Sequence, residues 1–162
     1  MKSVNLNAIA TETRNPHTLD LDKSTPRQIA RKINREDFTA ARAVQAANKE
    51  IAAVIVMAAQ AYAQKHKIIF IGAGTSGRLG ILEAVECVPT FGTKPSQIIG
   101  RIAGGKKAVS RSQEGAEENA KQGAAEIRRA AKKDDLVSGL TASGRTPYVM
   151  GALQEALRLG AR

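Results

Sequence analysis

Apolar and polar positions follow two different rhythms along this chain. Val44, Ala47, Ile51, Val54, Ile55, Ala58 and Tyr62 recur every three or four residues, the stripe of an amphipathic helix. Ahead of them, Ser24-Thr25-Pro26-Arg27-Gln28 reads as a helix start. Thr25 is the cap, Pro26 takes the first helical position, where its missing N–H costs nothing, and Gln28 closes a capping box. Ile29 and Ile33 share one face four residues apart, which predicts a short helix ending near Asn34. A longer helix is then expected from about Asp37 or Phe38. The polar stretch before Pro26 predicts extended or loosely ordered chain.

Past His66 the rhythm changes. Ile68-Ile69-Phe70-Ile71 is a continuous apolar run of strand length, followed by Gly72-Ala73-Gly74-Thr75-Ser76-Gly77 and a helical stretch from about Arg78 to Cys87. A second strand is expected over Gln97 to Ile102, ending at Ala103-Gly104-Gly105, and then a helix from about Gln113 to Lys132. Leu136 to Leu140 forms a third strand. Thr146 to Leu159 forms a helix with Thr146 as cap, Pro147 in its first turn and Gly160 as its stop. Strands alternating with helices imply a parallel sheet with right-handed crossovers. The expected class is α/β: a parallel sheet flanked by helices, behind an N-terminal helical segment. Three strands make a thin sheet, and Gly160-Ala161-Arg162 falls where a fourth is due, so truncation after the third strand is expected. The boundary is set at residues 1–58 for the arm and helices and 59–162 for a partial sheet domain.

Composition narrows the class. Hydrophobic residues fill 43% of the 162 positions, but aromatics only 3% and Trp none, so the core must be built from Ala, Ile, Leu and Val. No apolar run reaches membrane-spanning length, and Met1 to Arg14 lacks the apolar stretch of a signal peptide. The single cysteine, Cys87, can close no internal disulfide and suits a reducing compartment. A cytoplasmic protein with no membrane partner is expected. The net charge of +10 raises nucleic acid as a partner. Yet Lys65 and Lys67, Lys106 and Lys107, Arg128 and Arg129, and Lys132 and Lys133 are scattered, without interleaved aromatics, a helix-turn-helix or a zinc-finger pattern. A solvated basic surface that attracts anionic substrates is expected instead.

Gly72-Ala73-Gly74-Thr75-Ser76-Gly77 satisfies G-x-G-x-x-G between a strand and a helix. A dinucleotide site also wants a carboxylate at the end of the next strand. Ile98-Ile99-Gly100-Arg101-Ile102 has none, and Arg101 leaves only an NADP reading open. A second pattern points elsewhere: Thr75-Ser76-Gly77-Arg78 after the first strand is echoed by Ala142-Ser143-Gly144-Arg145-Thr146 after the third. Both turns fall at the carboxyl edge of a parallel sheet. Each offers hydroxyls, N–H groups and a helix N-terminus suited to a phosphate monoester. The dipole contributes only about 0.3–1 kcal/mol per site, so the hydroxyl and amide bonds carry most of it. Each serine could instead cap its helix; two equivalent turns favour phosphate. Among Glu83, Glu86, Glu114, Glu117 and Glu118, spacing alone selects no catalytic pair. His17 and His66 join no metal-binding cluster, and Cys87 has no nearby His to activate it.

Taken in order, these motifs resemble the N-acetylmuramic acid 6-phosphate etherases. Ile71 to Leu82, Glu86-Cys87-Val88-Pro89-Thr90-Phe91-Gly92, Ile102-Ala103-Gly104-Gly105, Glu114-Gly115-Ala116-Glu117 and Ala142 to Tyr148 carry the resemblance. Thr11-Glu12, Asn15-Pro16 and Asn34-Arg35-Glu36-Asp37 extend it. The resemblance implies a sugar isomerase (SIS) fold, a homodimer, and no metal or organic cofactor. It implies a lyase that cleaves the lactyl ether of N-acetylmuramic acid 6-phosphate to N-acetylglucosamine 6-phosphate and D-lactate in cell-wall recycling. It also implies Glu86 as proton donor and Glu117 as the second active-site carboxylate, with Thr75, Ser76, Ser143 and Thr146 holding the phosphate. Val88, Gln113, Ser138 and Thr141 depart from the family pattern, as does the positive charge. Family members are nearly twice as long. The alternatives are a non-catalytic sugar-phosphate regulator of the same fold, an NADP-dependent enzyme, or an inactive truncated fragment.

Overall fold

The computed structural model describes Thr11 and residues 13–162. Glu12 of the Thr11-Glu12 motif and residues 1–10 lie outside the described residues. The chain divides into two compact units, one ending at Ile55 and one running from Val56 to Arg162.

In the first unit, 3-10 turns at Pro16–Thr18 and Leu21–Lys23 precede helix α1 (Pro26–Ala46). The capping box forms as expected. Thr25 Oγ1 accepts from Gln28 N (3.4 Å), and Gln28 Oε1 accepts from Thr25 N (2.8 Å). The stretch before Pro26 is more ordered than its polarity suggested. Asn15 Oδ1 accepts from His17 N at 2.9 Å, and Lys32 donates to both Asp20 and Ser24. The expected break between Asn34 and Asp37 does not occur; α1 runs through it, and the interruption sits at Ala47, before α2 (Asn48–Ala63). Asn34-Arg35-Glu36-Asp37 contains neither Gly nor Pro, and polarity alone does not end a solvent-facing helix. Glu36 accepts from Asn15 Nδ2 at 2.7 Å and lies 2.9 Å from His17 Nδ1, which ties the first 3-10 turn to the side of α1.

The second unit begins within α2 and continues as β1 (Ile68–Gly72), α3 (Gly74–Phe91), β2 (Ile98–Ile102) and α4 (Lys107–Ser110). A 3-10 turn at Ala116–Glu118, α5 (Ala120–Ala130), β3 (Leu136–Leu140) and α6 (Pro147–Arg158) complete it. The three strands form one parallel sheet in the order β2-β1-β3, with Ile68 paired to both Ile98 and Leu136. Side chains alternate across β1, so its two faces build two cores. Ile69, Ile71 and Val137 pack with Ile127, Tyr148, Val149 and Ala152 from α5 and α6. Ile68, Ile98 and Leu136 pack with Ala61 of α2 and Ala84 of α3.

Two helix starts differ from the sequence expectation. The helix expected from Gln113 begins only at Ala120. Gly115 takes a left-handed conformation (φ +71°), and Asn119 caps α5 by accepting from Gln122 N at 2.9 Å. Helix α3 starts at Gly74 rather than Arg78, so Thr75, Ser76 and Gly77 belong to its first turn. No helix among the described residues is long and apolar enough to cross a membrane.

Candidate functional site

Because β1 and β3 are neighbours and parallel, Gly72 and Leu140 end side by side, and both Ser-Gly-Arg turns leave from the same edge. Glycine makes the first turn possible. A Cβ on Gly77 would come within 2.7 Å of the Gly72 carbonyl oxygen and 2.6 Å of Ile102 Cγ1. Only without it can α3 start directly against the strand end. The second turn reverses at Gly144, whose φ is +69°.

Neither helix is capped by a side chain. The cap position of α3 is Ala73, which has no oxygen to offer, and Thr146, at the cap position of α6, makes no capping bond. Ser143 Oγ accepts instead from Arg145 N at 3.2 Å, and Thr146 Oγ1 lies 2.9 Å from Thr141 Oγ1. Simple helix capping therefore does not account for these hydroxyls. Thr75 and Ser143 are exposed, and Ser76 and Thr146 half-buried.

Two hollows flank the first turn. One, of about 460 Å³, brings Ser76 of α3 together with Leu140, Thr141 and Ala142 at the end of β3, and with Glu83. The other, of about 160 Å³, sets Glu117 near Gly74, Arg78 and Glu114. Arg78 is held there by a bond from its Nε to the Val109 carbonyl (3.0 Å). Glu117 itself is exposed on the 3-10 turn. Glu86 is exposed on α3 and lines neither hollow. At about 1.5 Å per residue it lies roughly 18 Å along the helix from Gly74. Within one chain, Ser76 is thus brought to the β3 loop that carries Ser143 and Thr146, whereas Glu86 is not brought to Glu117.

Glu83 and Thr141 are the residues that motif reasoning left aside. Glu83 was legible: it follows Ser76 by seven residues, two helical turns along one face. Thr141 was not, because its contact depends on how the loop folds back at Gly144.

A roomier hollow, of about 940 Å³, lies elsewhere, along the outer edge of β2. Its walls are mainly apolar, with Arg101, Lys106, Glu126 and Arg129 at the rim, and neither Ser-Gly-Arg turn reaches it. Size alone does not make it the site, since the groups suited to an anion stand at the strand ends. Beside it Tyr148 donates to Glu126 Oε2 at 2.8 Å, and burial, then the Glu126 carboxylate, pushes the phenol well above its ordinary range. Among the described residues no three His, Cys, Asp or Glu side chains gather as a metal site.

Residues 50–157 match the family model described as the glucokinase regulatory protein N-terminal SIS domain. The chain belongs to the SIS-domain family. Over 160 residues, 98% of its length, this SIS chain is 46% identical to the N-acetylmuramic acid 6-phosphate etherase of Lactococcus lactis subsp. cremoris, covering 54% of that protein. It is 46% identical over 158 residues to N-acetylmuramic acid 6-phosphate etherase 2 of Vibrio cholerae, covering 96% of this chain and 51% of the relative. The etherase of Photorhabdus laumondii is 45% identical over 159 residues, covering 98% and 53% respectively. The SIS chain therefore spans about half the length of the curated relatives it matches. Both the resemblance drawn from the motifs and the parallel α/β fold expected from the apolar pattern are borne out.

Proposed function

We propose that this chain carries the phosphate-binding edge and both active carboxylates of an etherase acting on N-acetylmuramic acid 6-phosphate. The observation that carries this reading is the pair of Ser-Gly-Arg turns on adjacent parallel strands, each opening a helix without a side-chain cap. Ser76 and Ser143, with Thr75 and Thr146, hold the 6-phosphate through hydroxyl and amide donors. In the open-chain sugar the aldehyde acidifies the C2 proton. Removing that proton forms the C2–C3 double bond and breaks the C3–O bond, with lactate leaving as its oxygen is protonated. Water then adds at C3 and a proton returns to C2, giving N-acetylglucosamine 6-phosphate and D-lactate. The balance needs only water and proton transfers, which two carboxylates supply at about 10²–10⁴-fold each. Glu86 donates to the leaving lactate, and Glu117 is the second carboxylate.

Their separation within one chain favours a homodimer in which Glu86 of one copy serves the Glu117 hollow of the other. Leu79, Leu82 and Val85, all more than half exposed on α3 beside Glu86, support a subunit contact there. A reducing cytoplasm suits both the single cysteine and a phosphorylated substrate.

A second reading has one observation in its favour: the matching family model bears the name of a regulatory protein. Such a protein would bind a sugar phosphate without turning it over. Lactate release from N-acetylmuramic acid 6-phosphate by the purified chain separates the two. Release by the parent, lowered about 10²-fold or more by Glu86→Gln and by Glu117→Gln, supports the etherase. Phosphate-sugar binding without lactate leaves the regulator. Activity restored by mixing the two single variants would support carboxylates contributed by different copies.

A further inference from the structure

Strand β2 pairs with β1 and, among the described residues, with no strand on its other side. Ile68 N bonds to the Gln97 carbonyl and Ala103 N to the Gly72 carbonyl, so the odd-numbered residues here turn their backbone to β1. Alternation in a parallel ladder then turns the N–H and C=O of Ile98, Gly100 and Ile102 outward. The Ile102 carbonyl is taken by Gly105 N at 2.9 Å, but the outward groups of Ile98 and Gly100 have no backbone partner among the described residues. All five residues of β2 line the hollow of about 940 Å³, so this edge opens into it. The two walls of that hollow differ. On one side Ile81, Val88 and Pro89 of α3 are apolar. On the other stand Glu126 and Arg129 of α5, together with Arg101, which sits beside Ile71 in the register and so shares the face that packs on α5. Lys106 lies at the carboxyl end of the strand. Arg101, Lys106 and Arg129 are exposed and enter no ion pair among the described residues. Glu126 does not offset them directly, since it accepts from Tyr148 and Gln122.

We propose that this groove docks an extended peptide of another protein, added to the sheet as a strand outside β2 and alternating apolar with acidic side chains. Successive side chains of an added strand point to opposite faces. One set meets the apolar wall of α3, and the other meets Arg101 and Arg129. Backbone bonds to Ile98 and Gly100 supply affinity, while the two unlike walls supply specificity. A second copy of this chain suits the edge less well, because two-fold pairing of β2 with β2 brings the same cations face to face. The proposal is independent of the phosphate reading, since neither Ser-Gly-Arg turn reaches this hollow.

The probe is a fluorescein-labelled hexapeptide alternating Val and Glu, titrated with the purified chain and followed by anisotropy. A peptide of the same composition, with its Val and Glu residues in separate blocks, is the control. The alternating peptide should bind about tenfold more tightly than the blocked one, because only it presents each wall with the matching side chains. Arg101→Glu combined with Arg129→Glu should weaken its binding about tenfold or more, with Tm unchanged because both side chains are exposed. Lys106→Glu alone should weaken it about threefold, and decides the matter if the double variant melts early. Hydrogen exchange adds a readout of the edge itself. The alternating peptide should slow the amides of Ile98 and Gly100 and leave those of Ile99 and Arg101, already bonded to β1, unchanged. Equal binding of the two peptides would reduce the contact to general attraction between an anion and a chain of net charge +10, and would overturn the proposal. So would binding that survives the charge reversals, or exchange at Ile98 and Gly100 that the peptide does not slow. Protection of those two amides that rises with protein concentration in the absence of peptide would assign the edge to a second copy and overturn it equally.

Discussion

Glu155 lies under two arginines on the outer side of the α5–α6 pair, only 6% exposed. Arg158 Nη2 reaches its Oε1 at 2.7 Å and Arg128 Nε reaches the same oxygen at 2.8 Å, joining α6 to α5. These bonds, Arg158 first and Arg128 second, hold the carboxyl down from 4.5 to about 2 against the opposing effect of burial. A depressed carboxylate pKa contributes stability that is fully present above the unfolded value and is lost as pH falls through the folded one. Glu155→Gln should therefore lower Tm at pH 7. The gap between parent and variant should close between about pH 4.5 and about pH 2. A gap of constant size down to pH 2 would show that the arginines do not stabilise the ionised form. Gly77 tests the other residue-level requirement. Gly77→Ala puts a methyl against the Gly72 carbonyl, which is backbone and cannot swing aside. An overpacking cost of about 1–3 kcal/mol is expected, read as a lower denaturation midpoint with weaker phosphate binding, because α3 must shift from the strand end.

At the scale of elements, α5 is the helix whose start depends most on one side chain. Asn119 supplies its only side-chain cap, and Asn119→Ala should cost about 1 kcal/mol, or about 2–4 °C in Tm for a domain of this size. No loss would mean that packing of α5 on α6 alone sets the helix start. That start also marks where the sequence stopped being readable. The strands were legible because each is a short run rich in Ile, Leu or Val set off from the helical stretches by Gly-containing turns or charged residues, although only β1 is apolar throughout and buried along most of its length. β3 matches its expected limits, while β1 and β2 each shift by one residue at one end. The capping boundary at Thr25-Pro26 was equally plain, since its signal lies within four residues. The break expected near Asn34 was wrong because Asn34-Arg35-Glu36-Asp37 holds no Gly or Pro to end the helix, and polar residues are tolerated in a helix that buries none of its residues. The start expected at Gln113 was wrong because the loop there is shaped by Gly115 and by contacts distant in sequence. The site divides in the same way. The hydroxyls of the two turns could be found from a repeated motif, but their escape from capping depends on Ala73 and on the Thr141–Thr146 pair, which only the folded loop reveals.

Across the whole molecule, the sheet order leaves β1 flanked on both sides and β3 paired on one side only. In a parallel ladder, successive residues present their backbone groups to opposite neighbours. Leu136 N bonds to the Lys67 carbonyl ahead of β1, so Val137 and Gly139 face outward. Val137 finds a partner there: its N–H bonds to the Arg162 carbonyl at 2.8 Å, while Arg162 N bonds to the Asp135 carbonyl at 2.8 Å. That pair of bonds is the start of a parallel pairing, brought back to the sheet by α6. Gly139, two residues further on, has no such partner among the described residues. Hydrogen exchange should resolve this difference within a single strand. The amides of Ile69 and Ile71, buried at the centre of the sheet, should be slowest. Val137 should be intermediate, and Gly139 should exchange faster than its neighbours Ser138 and Leu140. Removing Arg162 should bring Val137 to the rate of Gly139 and leave Ile69 unchanged. If Gly139 is instead as protected as Ser138, something covers the outer edge of β3. Association of two copies through that edge would then show itself as protection that grows with protein concentration.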